Sequence, residues 1–211
     1  MRPRALALLG LAVLEACLAR SADRPRFFRP TSALLDAVDA VQPVGDGVPI
    51  RLREVRADPF LRERIVWRIS DVEYGSYEQR RWLDLPAHYV DRALAVRLQA
   101  TPGLRLTDDL AAMALYVDIL AFDDVLAPQH EANVTLAVAL EDRTGVVLLR
   151  RTVEARVAVA SDDPAALAKA MGEALDQTVA QVADGVRESA LRRPDAAGGR
   201  APRSSRPRSA R

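Results

Sequence analysis

The chain has 211 residues, 49% of them hydrophobic and 28% charged, enough apolar content for one substantial core. A formal net charge of +1 gives no overall pull toward nucleic acid or acidic partners. Cys17 is the single cysteine, which excludes an intrachain disulfide framework.

The N-terminus reads as an address. Arg2 and Arg4 precede an apolar run from Ala5 to Leu14, too short to span a bilayer of about 30 Å as a helix, so the segment is an export signal. Leu14-Glu15-Ala16-Cys17 resembles the bacterial lipobox, in which a small residue precedes a cysteine that is acylated before cleavage, although Glu15 is an unusual occupant of its place. Cleavage near Ala19 or Ala22 with no lipid is the other reading of these residues. The expected organisation is a lipoprotein signal over 1–17, a tether over 18–48, a folded domain over 49–190 and a disordered Arg-rich tail over 191–211. Phe27-Phe28 begins an extended segment within that tether.

From Pro49 the pattern tightens. Ile50, Leu52 and Val55 predict a strand that Ala57-Asp58-Pro59 breaks. Ile65–Ile69 and Val72–Tyr77 read as a hairpin with Ser70-Asp71 at its turn. Asp84 caps a helix over 86–100, with Pro86 in its first turn and Val90, Leu94 and Leu98 on one apolar face. Leu104–Leu106 is a short strand. Leu115–Val125 is a longer one, with Val117 and Ile119 on one face and Tyr116, Asp118, Leu120 and Phe122 on the other. Ala132–Leu140 alternates strictly, Asp142-Arg143-Thr144-Gly145 is a turn, and Val147–Val159 returns. Asp163-Pro164 then starts a helix whose stripe of Leu167, Met171, Leu175, Val179, Val182 and Val186 covers the dry face of the sheet. The expected fold is α+β: a mostly antiparallel sheet covered on one face by two helices.

Little in this pattern points to catalysis. His88 and His130 lie in different contexts, and no Cys or His pair has metal-ligand spacing, so neither metal nor cofactor is expected. No nucleophile elbow or phosphate loop is present. Asp108-Asp109 and Asp123-Asp124 read as strand ends and turns, because neighbours on a strand point to opposite faces. The chain is expected not to be an enzyme. Trp67, Tyr74 and Tyr77, interleaved with arginines, are candidates for a partner-binding surface, as interfaces favour Tyr, Trp and Arg. Trp82 is expected to fill the core, and core filling is the competing reading for Trp67.

The stretches Arg62–Arg68, Glu73-Tyr74, Arg81–Pro86, Tyr116–Phe122, Leu140–Asp142 through Arg150-Arg151, and Ala165–Ala170 with Ala174-Leu175 resemble the ABC-type transport auxiliary lipoprotein family in order and spacing. The resemblance implies a lipoprotein in the outer membrane, facing the periplasm, with the lipid on Cys17. It implies two partners, a mammalian-cell-entry-domain protein and an inner-membrane ABC-type permease, serving lipid transport and membrane integrity. It also allows a ring-shaped homo-oligomer. The alternative is a stand-alone lipid-binding or assembly lipoprotein, which an exposed groove large enough for an acyl chain favours, whereas a closed core with a flat sticky rim favours docking.

Overall fold

The computed structural model describes residues 24–37 and 46–192. Its centre is the meander that strict alternation predicts. Strands β7 (Met113–Val125), β8 (Glu131–Glu141) and β9 (Val147–Ala158) pair antiparallel along nearly their whole lengths. The β8–β9 turn is held by Asp142, whose Oδ1 accepts from the Thr144 N–H (2.7 Å), the Thr144 hydroxyl (2.6 Å) and the Val146 N–H (3.0 Å).

The other edge of β7 is shared end to end by three strands parallel to it. These are β2 (Val48–Leu52), β3 (Arg56–Ala57) and β4 (Arg64–Arg68). β6 (Leu104–Leu106) flanks β2, and β5 (Tyr74–Trp82) flanks β4 antiparallel. The expected hairpin is therefore present, but its second arm continues past Tyr77 to Trp82. The ring of Trp82 is buried against Phe122, edge to face, with centroids 5.5 Å apart.

Phe122 corrects the predicted facing of β7. It is fully buried with Val117 and Ile119 instead of lying with Tyr116 and Asp118. The register shifts between Ile119 and Ala121, so Leu120 stays out in the row of Tyr116 and Asp118 while the bulge brings Phe122 in.

The helices lie on one face. Helix α3 (Pro164–Leu191) starts at Asp163, whose side chain accepts from the Ala165 N–H at 3.0 Å, and its whole predicted stripe is buried on β8 and β9. Helix α2 (Pro86–Gln99) packs beside it with Val90, Leu94 and Leu98 buried. Its cap is Leu85 rather than Asp84, without a side-chain bond. Asp84 faces along the helix instead, 2.7 Å from His88 Nδ1 and 3.1 Å from the Arg92 guanidinium.

Residues 26–36, within the span expected to be tether, are part of the folded unit. β1 (Arg26–Phe28) adds a parallel strand to β5, and α1 (Ala33–Asp36) follows. Asp176 of α3 clamps this segment, accepting from the Ser32 hydroxyl at 2.5 Å and the Ala33 N–H at 2.9 Å, while the Thr31 N–H donates to the Ala168 carbonyl at 3.0 Å. The expectations for Cys17, residues 1–23 and the tail from residue 193 lie outside the described residues.

Candidate functional site

Two helices on one face leave the other face of the sheet open, and the open face carries a groove of about 520 Å³. Three local features build it. At the bulge in β7 Leu120 projects outward, 54% exposed. The β4–β5 turn, closed by the Ile69 N–H donating to the Glu73 carbonyl (3.1 Å), presents Val72, 91% exposed, beside Tyr74. After β3, Asp58 accepts from the Phe60 N–H at 2.9 Å and the Leu61 N–H reaches its carbonyl at 2.8 Å. That turn tucks Leu61 inward and leaves Phe60 on the rim. Four large apolar side chains thus converge on one depression without burying one another.

Its polar floor is Asp123, which is 1% exposed although it sits at the end of a strand. Oδ1 accepts from Asn133 Nδ2 at 2.8 Å, and Oδ2 lies 3.0 Å from Arg68 Nε in a geometry that makes an ion pair but no aligned hydrogen bond. Burial pushes the Asp123 carboxyl above the ordinary aspartate range, outweighing the opposing pull of Asn133 and Arg68. The Arg68 guanidinium also lies over the Tyr74 ring, 6.0 Å from its centroid. This fixes one wall of the groove to its floor.

Asp124 points the other way, into a second buried network. It accepts from the Tyr77 hydroxyl at 2.8 Å, and its other oxygen lies 2.8 Å from His130 Nε2. Burial first, then the bond to Asp124, raises the Tyr77 phenol pKa far above its usual value. Arg80 stacks 4.4 Å from the centre of the same ring. This arrangement ties β5, β7 and the β7–β8 turn together. Both aspartates lie at the end of β7 and point to opposite faces, as the sequence suggested, and both are buried.

The three aromatic candidates therefore separate. Tyr74 lines the groove. Tyr77 is half-buried in the network on the opposite side of β5. Trp67 is also half-buried, its ring filling the notch over Gly75, where a Cβ would come within 2.2 Å of it. Phe60, Val72 and Leu120 were missed in the sequence. For Leu120 the signal was present, an aliphatic residue in the row of Tyr116 and Asp118. Among the described residues, no group of three His, Cys, Asp or Glu is placed to hold a metal, and no helix is long and apolar enough to cross a membrane.

The family described as ABC-type transport auxiliary lipoprotein component matches residues 34–183, which spans β2 through β9, helix α2, most of α3 and the whole groove. The chain belongs to that family. It is accordingly an accessory lipoprotein of an ABC-type transport system, at the cell envelope, in a family of auxiliary transport components. No curated protein matches it in sequence. In fold, this auxiliary component is similar to a crystal structure of a Xanthomonas campestris protein at 18% identity, covering 79% of this chain and 97% of that one with a TM-score of 0.66. A second crystal structure, of an uncharacterized protein, is similar at 14% identity over 79% and 98% of the two chains, with a TM-score of 0.59. At such identities the likeness is one of fold alone.

Proposed function

We propose that this chain is a non-catalytic lipoprotein held in the outer membrane by a lipid on Cys17, facing the periplasm, and that it docks a mammalian-cell-entry-domain protein of a lipid transport system with an inner-membrane ABC-type permease. Its role is positional: the anchor fixes one end and the open sheet face grips the transporter. The observation that carries this reading is the convergence of Phe60, Val72, Tyr74 and Leu120 on one groove opposite the helices. Each such side chain contributes about 1.5–3 kcal/mol when fully buried, so a partner seated there gains several kcal/mol from four residues. An exposed groove of about 520 Å³ also admits an acyl chain, as the stand-alone lipid-binding reading requires, and the two occupants are told apart by what is captured with the protein.

The test is capture from detergent-solubilised envelopes with the native anchor kept, comparing the parent with Val72→Asp and Leu120→Asp. Recovery of a mammalian-cell-entry-domain protein with the parent, and its loss with either variant, supports docking through the groove. Recovery of bound phospholipid and no such protein would replace this reading with a solitary lipid carrier.

A further inference from the structure

At one margin of the sheet, three adjacent strands set arginines against one another. Register places Arg64 of β4 opposite Arg81 of β5, and Arg81 opposite Phe27 of β1; one step along, on the other side of the sheet, Arg26 faces Arg80. Like charges directly opposed on neighbouring strands repel. Among the described residues none of these four arginines forms a salt bridge, and the Arg81 Nε is buried without a hydrogen-bond partner. Glu63 and Glu78, the carboxylates nearest in sequence to Arg64 and Arg80 among the described residues, are not paired with them either. Beside these cations stand two large apolar side chains that the fold leaves out: Phe27 at 58% exposure, and Leu83 at 66%, whose N–H donates to the Phe28 carbonyl at 2.7 Å. Cations around exposed apolar side chains match a membrane interface, where phosphates meet the charges and the boundary of the acyl region takes the apolar groups.

The path of the chain says where this margin sits. β1 begins at Arg26, nine residues after Cys17. Nine residues fully extended reach about 30 Å, so an acylated Cys17 holds β1 within that distance of the bilayer. We propose that the β1–β5–β4 margin is a membrane-apposed edge, binding the phosphates of anionic lipid headgroups through Arg26 and Arg80 on one side of the sheet and Arg64 and Arg81 on the other, and so orienting the domain on the membrane that anchors it. The direction of the edge rests on the anchored reading above; its charge does not.

The test uses the chain from residue 17 with Cys17→Ser, so that no lipid contributes, sedimented with vesicles of phosphatidylglycerol and phosphatidylcholine or of phosphatidylcholine alone. Arg193, Arg200, Arg203, Arg206, Arg208 and Arg211 are replaced by Gln throughout, which removes most of the tail's own attraction, and Arg192 is paired with Glu188. The expected result is partition onto the phosphatidylglycerol vesicles only. Arg26→Gln with Arg64→Gln, both exposed side chains, lowers it about 10- to 25-fold, at about fivefold per cation near an anionic surface. Phe27→Ser lowers it further, with thermal unfolding unchanged in every variant. Equal partition of parent and double variant, or no preference of the parent for anionic vesicles, overturns the proposal. The mass of the chain extracted from envelopes reports the anchor separately: an unacylated Cys17 sinks the anchored reading, while the vesicle partition alone decides the edge.

Discussion

The carbonyl oxygen of Thr31 lies so close to Gly172 of α3 that a Cβ built on the glycine would sit 1.9 Å from it. The contact is backbone against backbone, so no rotamer change relieves it. The missing side chain is what lets the segment carrying β1 and α1 lie against the long helix, where Asp176 then holds it.

Gly172→Ala is expected to push this segment off α3 at a cost of about 1–3 kcal/mol, the usual range for overpacking a close contact. Hydrogen exchange across residues 26–36 should accelerate while the β7–β9 meander keeps its protection. Unchanged exchange there would mean that the segment is held by β1 pairing alone.

Tyr77→Phe removes one of two bonds to a carboxylate that is 1% exposed. The expected loss is about 1–3 kcal/mol in chemical denaturation, the desolvation penalty of a buried acceptor left short of a partner. Partner capture should survive, since Tyr77 faces away from the groove. Loss of capture at full stability would move the docking surface to the other side of β5.

Asp84 supplies a pH dependence. Burial alone would raise its carboxyl, but the bonds from His88 and the Leu85 N–H, with Arg92 nearby, together hold it below the ordinary aspartate value. A depressed folded-state pKa contributes stability above the unfolded-state value and loses it as pH falls through the folded one. Melting temperature should therefore decline between about pH 5 and about pH 3, less steeply in Asp84→Asn. Parallel profiles for the two proteins would show that the cluster does not contribute.

Much of the frame was legible because it follows from period. Alternation from Ala132 to Leu140 and the three- and four-residue stripe from Leu167 to Val186 each specify a buried face, and both are buried as expected. The bulge at Leu120 was not legible, since one extra residue in a strand leaves no mark in composition yet reverses the facing of everything after it. β1 is three residues long and gains its identity only from pairing with Arg80–Trp82. The burial of Asp123 and Asp124 depends on Arg68 and Tyr77, which reach them from some fifty residues earlier in the chain. Of the groove, Tyr74 was singled out and Leu120 left a mark in the outward row of Tyr116 and Asp118, whereas Phe60 and Val72 are exposed apolar residues in a turn and a hairpin tip, where no period applies.

The central claim is that the partner sits on the open face of the sheet. The most direct test places a photo-crosslinking phenylalanine analogue at Tyr74 in living cells, with a control at Glu173, exposed on the helical face. The account predicts an adduct with a mammalian-cell-entry-domain protein from position 74 and none from position 173. An adduct from Glu173 alone, or none with that protein from either site, would contradict it.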